Sequence, residues 1–186
     1  MAGTEATAAR AANREVSPAP ASPFQDCRDV VHIAVFFDGT GNNRDRDTPT
    51  KRWSNVARMF DAAINDPRRA IYRIYISGVG TPYNGTADNW LSSAGIWIED
   101  SAIPGAGAGA GGDRRMDFGG LTVNHRLRDV LIANARKLGG EHATYAAESA
   151  DKSFDEVNRA LGKHRLIKKI SISVFGFSRG AALARA

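Results

Sequence analysis

Apolar positions along the 186-residue chain fall into two kinds of run. Three runs are short and nearly continuous: Val30 to Phe37 (VVHIAVFF), Ala70 to Ser77 (AIYRIYIS) and Leu166 to Phe177 (LIKKISISVFGF). Their β-branched and aromatic residues predict strands, the first buried on both faces. Elsewhere apolar residues recur at helical spacing. Trp53, Val56, Phe60 and Ile64 form one such stripe, with Thr48-Pro49 as a start and Pro67 as a stop. Leu127, Val130, Leu131 and Leu138 form a second, closed by Gly139-Gly140. Phe154, Val157 and Leu161 form a third, where Ser153 and Glu156 have the spacing of a capping box and Gly162 is a candidate C-cap. Strand, amphipathic helix and strand in succession make a βαβ unit, and therefore a parallel sheet.

The segments between these runs differ in kind. Asp38-Gly39-Thr40-Gly41-Asn42-Asn43 follows the first strand at once and is dense in residues that tolerate unusual backbone angles. Gly78-Val79-Gly80-Thr81-Pro82 ends the second strand. From Tyr83 to about Gly120 no pattern holds. That stretch contains Trp90, Trp97 and the alternating run Gly105 to Gly112, and it is too long for an ordinary connection, so residues 83–120 are expected to form a Gly-rich insertion. Residues 1–27, rich in Ala and Pro, are expected to be a disordered tail ahead of a domain over 28–186. The small residues after Ser178 predict a helix with no C-terminal signal, hence a fragment of a longer protein.

Composition narrows the function classes. The chain is 42% hydrophobic and 24% charged, which is globular. It has no apolar run near the length of a membrane span and no apolar h-region of a Sec signal. Its net charge of +5 comes from scattered residues such as Arg44, Arg46, Lys51, Arg52, Arg68, Arg69, Arg114 and Arg115. Aromatics do not interleave with them as in RNA-binding modules, so they read as a solvated basic surface and no nucleic acid is expected. Cys27, the single cysteine, cannot form an internal disulfide and has no setting that would aim its sulfur.

The chemistry is concentrated in Gly176-Phe177-Ser178-Arg179-Gly180, a G-x-S-x-G pattern between an apolar strand and a helix of small residues. This is the strand–turn–helix setting of a nucleophile elbow. Gly176 and Gly180 are required by the tightness of the turn, where a Cβ would meet backbone. The turn is expected to lift the Ser178 hydroxyl above the sheet edge as the nucleophile, with the Arg179 N–H as one oxyanion donor. The loop after another strand supplies the second donor in such a fold. Gly39, Thr40 and Gly41 are candidates for it, with Asp38 holding the loop's shape.

Rival motifs fail on their own residues. A haloacid-dehalogenase phosphatase needs a nucleophilic Asp where Phe36 stands. Asn43, Asp45 and Asp47 start like a calcium loop, but Thr48 and Ser54 stand where Gly and Glu are required. Gly107 to Gly112 matches a dinucleotide fingerprint without a preceding strand. No cofactor and no metal is expected. The four histidines, His32, His125, His142 and His164, all precede Ser178, whereas an α/β-hydrolase places its acid and base after the serine. The triad's Asp or Glu and its His are therefore expected beyond Ala186, and the fragment alone is expected to be inactive.

FFDGTGNN, ISGVGTP and GFSRGAALARA together resemble the uncharacterised α/β-hydrolase domain family that includes type VI secretion phospholipase effectors. The resemblance spans Val30 to Ala186. It implies an α/β-hydrolase-like, doubly wound, mostly parallel sheet, truncated here at its C-terminal side, and Ser178 as the nucleophile. It further implies a lipase cleaving acyl esters of membrane phospholipids through an acyl-enzyme. Such a protein is made in the bacterial cytoplasm, exported by the type VI secretion machinery and neutralised by an immunity protein. Contact with a membrane surface through Trp90, Leu91, Ile96, Trp97 and Ile98 fits this reading, as does plain packing of those residues. Two other classes remain: a non-catalytic hydrolase-fold module that docks a partner, and a hydrolase of a different ester or amide.

Overall fold

A computed structural model of the chain describes residues 29–81, 110–164 and 166–186. The tail, Cys27, the tryptophans of 90–97 and most of the Gly-rich run lie outside the described residues.

Three parallel strands form one sheet: β1 (Asp29–Phe37), β2 (Ile71–Ile76) and β3 (Ile167–Gly176). Their order is β2-β1-β3, so β1 is central. Register places Phe37 beside Ile76 on one side and Gly176 on the other, which brings the C-terminal ends of all three strands to one edge. Around the sheet stand the short α1 (Arg44–Asp47), α2 (Asn55–Ala62), the long α3 (Ala110–Leu138), α4 (Gly140–Ala147), α5 (Phe154–Leu161) and α6 (Arg179–Leu183).

Alternation along the strands assigns the faces. Val31, Ile33, Val35 and Phe37 of β1 join Tyr72, Ile74 and Ile76 of β2 in a core completed by Phe118, Leu127 and Val130 of α3. Burying each such aliphatic side chain stabilises the fold by roughly 1.5–3 kcal/mol. On the opposite face Phe36 stacks on Phe175 and meets the edge of Phe60 from α2. That helix covers only the C-terminal end of β1. His32 is accordingly exposed and Ala34 half-buried, so β1 is not buried on both faces along its whole length as its apolar run suggested. A second core joins Leu131, Ile132 and Ala135 of α3 to Ala146, Val157, Leu161 and Leu166. Buried Asn134 ties α3 to the start of β3 by donating to the Leu166 carbonyl at 2.9 Å.

Two further expectations need correction. The expected insertion does not run to Gly120, because α3 begins at Ala110 and takes Gly111, Gly112, Gly119 and Gly120 into its first turns. The reason is close packing: a Cβ on Gly119 would lie 2.9 Å from Ile76 Cδ1 and 3.3 Å from Phe37 Cζ. The helix before β2 is also shorter than its apolar stripe, since Ser54 caps it and Ile64 lies beyond its end, 65% exposed.

Candidate active site

The strand ends carry three loops that lock together. The first is the turn from β3 into α6. Ser178 sits at its apex with φ 57° and ψ −129°, a combination that L-residues rarely adopt. Holding a non-glycine residue at such angles costs about 1–3 kcal/mol. The glycines on either side explain how the turn closes. A Cβ on Gly176 would lie 2.3 Å from the Gly180 carbonyl oxygen, and one on Gly180 would lie 2.4 Å from that of Asp38. The Phe177 N–H donates to the Phe37 carbonyl at 3.2 Å, which pins the elbow against the end of β1. Ser178 is exposed and its hydroxyl makes no capping bond to the helix it opens.

The second loop, Asp38 to Asn43, is built around one buried carboxylate. Asp38 is 2% exposed. Its Oδ1 accepts the Gly39 N–H at 2.7 Å and the Asn42 amide at 3.4 Å, while its Oδ2 accepts the Ser54 hydroxyl at 2.7 Å and the Tyr75 hydroxyl at 2.6 Å. Burial first, then the hydrogen bond to Asp38 and that carboxylate's charge, push the Tyr75 phenol far above its ordinary range. It stays protonated as a donor to Asp38 while accepting the Arg44 N–H at 2.9 Å. Past the loop, Asn43 caps α1 by accepting from the N–H groups of Asp45 and Arg46.

The third loop, Ser77 to Thr81, braces the second. Gly78 donates its N–H to the Asn42 carbonyl at 2.9 Å, and Gly41 donates to the Val79 carbonyl at 3.0 Å. The backbones approach so closely that a Cβ on Gly78 would lie 1.6 Å from the Gly39 carbonyl oxygen.

The structure thus brings Ser178, Arg179, Gly39, Thr40, Gly41, Asp38, Gly176 and Gly180 to one edge. The Arg179 side chain reaches across to donate from Nε to Thr40 Oγ1 at 2.6 Å. The loop N–H groups are not equivalent, however. That of Gly39 is held by Asp38 and that of Gly41 by Val79. The Thr40 N–H has no acceptor among the described residues. Phe177, 58% exposed, lays its ring against Gly39 and offers an apolar surface next to Ser178.

The histidines stand apart from this edge chemistry. His125 lies 3.3 Å from Asp129 within α3, and His142 meets His164 edge to face at 4.4 Å. Among the described residues no histidine hydrogen-bonds to Ser178, and no group of three His, Cys, Asp or Glu side chains could hold a metal ion. No helix among them is long and apolar enough to cross a membrane.

Several residues that shape the edge had no signal in the sequence. Tyr75 lies 37 positions from Asp38, inside a strand whose alternation alone marks its outward face. Ser54, rather than the expected Thr48-Pro49, opens α2 as its cap, and its hydroxyl also donates to Asp38. Arg115, among the scattered basic residues, is 1% exposed.

No family model matches the chain and no curated protein matches it. Among solved structures, the chain is similar to an uncharacterized protein from Pseudomonas aeruginosa, at 25% identity over 86% of this chain with a TM-score of 0.57. The match covers 25% of that protein, so the chain spans about a quarter of the length of the structure it resembles.

Proposed function

We propose that this chain is the nucleophile-bearing part of a serine esterase whose substrates are acyl esters, membrane phospholipids foremost. One observation carries the reading: Ser178, a residue with a side chain, is held at positive φ on a turn between strand and helix with its hydroxyl uncommitted. Strain of this kind persists only where the surroundings enforce it, and it concentrates at functional sites. The sheet, with helices on both faces, is then the start of a doubly wound hydrolase fold.

In this reading the Ser178 Oγ attacks the ester carbonyl carbon. Its proton passes to a histidine base from outside the described residues and then to the departing alcohol as the acyl C–O bond breaks. Water hydrolyses the acyl-serine by the reverse path, releasing the acid. The oxyanion formed at each stage is met by the N–H of Arg179, at the first turn of α6 where helical N–H groups lack internal acceptors, and by the free N–H of Thr40. Phe177 flanks the acyl chain. No metal or cofactor enters these steps. Type VI delivery and an immunity partner follow from the resemblance of the three motifs.

The test is covalent labelling of the full-length protein with a fluorophosphonate. Ser178 should be the labelled residue, the Ser178→Ala protein should remain folded and unlabelled, and fatty acid should be released from phospholipid vesicles. A folded wild-type protein that takes no label would overturn the enzyme reading. Labelling with hydrolysis confined to short esters would move the substrate away from phospholipid.

A further inference from the structure

We propose that Arg115 is a positioning residue for the oxyanion loop, acting through the turn at the end of β2; this deepens, and rests on, the serine-esterase reading. Arg115 lies near the start of α3 and is among the largest fully buried side chains of the described residues. A guanidinium cannot shed its charge in a protein, so burying one is costly unless its fixed fork of donors is matched by acceptors. Here Nε donates to the Ser77 carbonyl at 2.6 Å, and Nη2 donates to the carbonyls of Gly78 at 2.9 Å and Thr81 at 3.1 Å. All three acceptors belong to one turn. The planar fork therefore fixes the position and tilt of the Ser77–Thr81 backbone as a lysine or an apolar side chain could not.

That turn in turn fixes the loop facing Ser178. Its Gly78 N–H grips the Asn42 carbonyl, its Val79 carbonyl grips the Gly41 N–H, and its Gly78 backbone lies against Gly39. Thr40 is held between these grips. Its N–H, uncommitted inside the loop, keeps its direction because the residues before and after it cannot turn. Displacing a preorganised oxyanion donor by a fraction of an ångström weakens transition-state stabilisation while leaving ground-state binding nearly intact. Arg115 touches no substrate in this scheme.

The experiment uses the full-length protein carrying Arg115→Lys or Arg115→Met. Turnover of a short p-nitrophenyl ester is normalised to the fluorophosphonate-titrated serine, and amide hydrogen exchange is followed at Gly41 and Gly78. We expect kcat per titrated serine to fall ~10-fold or more with KM nearly unchanged. Exchange at Gly41 and Gly78 should quicken while the Glu156 amide in the α5 cap stays protected. Folding support alone would lower the melting temperature and the titrated fraction but leave kcat per serine as it was, and that result overturns the proposal. If Arg115→Met fails to fold, Arg115→Lys decides, since it keeps the charge and loses the fork. If the wild-type serine takes no label, it is the esterase reading that fails. Exchange then decides the brace alone: unchanged protection at Gly41 and Gly78 overturns it, and lost protection upholds it.

Discussion

Ser153 and Ser178 both open helices in this chain, and they do so in opposite ways. Ser153 stands before α5 with φ −68° and ψ 164°, in relaxed extended backbone. Its hydroxyl accepts the Glu156 N–H, and the Glu156 carboxylate returns the favour by accepting the Ser153 N–H at 2.8 Å. That backbone bond first, and the serine hydroxyl second, hold the Glu156 carboxyl below its ordinary range. Ser178 stands before α6 at φ 57° and makes no capping bond. One serine lowers the free energy of the folded chain; the other raises it and keeps its hydroxyl free. The same division separates the two ends of the sheet. At the N-terminal end of β3 the packing is apolar, through Val157, Leu161 and Leu166. At the C-terminal ends, buried Asp38 accepts four hydrogen bonds and buried Arg115 donates to three backbone carbonyls, at the same edge as a strained turn.

Glycine substitutions should separate the two regions by the largest margin. Gly78→Ala would drive a Cβ into the Gly39 backbone, which has no room to move away from the Asp38 carboxylate. It should destabilise the fold by about 3 kcal/mol, and a denaturant titration would read that as a lower midpoint at constant slope. Gly162→Ala, in the relaxed region after α5, also begins with a short approach, 2.5 Å to Asn158 Oδ1. That atom is the end of a mobile side chain, and Gly162 has right-handed helical angles. There the change should be neutral or stabilising by up to ~1 kcal/mol. Equal losses at both positions would mean that the strand-end loops are no more tightly built than an ordinary helix end.

The serines themselves should then respond with opposite signs. Ser153→Ala removes the cap and should cost about 1 kcal/mol. Ser178→Gly relieves the positive φ and should add about 1 kcal/mol, less than the full strain because glycine also loosens the unfolded chain. Thermal melts of the two variants beside the wild type decide the matter. Loss of stability in Ser178→Gly would show that the turn is not strained, and the principal support for the esterase reading would go with it.

Much of this division was legible in the residues, because much of it is local. The three strands follow from short runs rich in β-branched and aromatic residues, the Ser153–Glu156 box from spacing, and the elbow from glycines flanking a serine where a strand meets small helix formers. What escaped depends on distant partners. The first turns of α3 look like loop because their glycines make sense only against Ile76, Phe37 and Leu183, which the chain brings in from elsewhere. Helix α4 has no apolar stripe to announce it. Arg115 is one basic residue among many until three carbonyls some 34–38 positions away converge on it. Which N–H of Gly39, Thr40 and Gly41 is free depends on Asp38 and Val79 claiming the other two, a matter of hydrogen-bond accounting rather than composition.

The smallest effect tests the quiet end of the molecule. His164 follows α5 in a single turn of 3₁₀ helix and packs edge to face against His142 of α4. Burial first, then the charges of His142 and Lys163, lower its pKa from the ordinary 6.5. The sign follows from linkage. As pH falls through about 6.5, a histidine in the unfolded chain takes up its proton while His164 in the folded chain resists it. The unfolded state therefore binds more protons, and stability declines as the pH falls through the lowered folded value, levelling off only below it, where both states are protonated alike. His164→Gln should flatten this decline between pH 7 and 5 and leave fluorophosphonate labelling of Ser178 in the full-length protein untouched. Denaturant midpoints at the two pH values measure the first part. A variant with the wild-type slope would place the acid sensitivity elsewhere, and one with altered labelling would show that the two ends of the sheet are coupled after all.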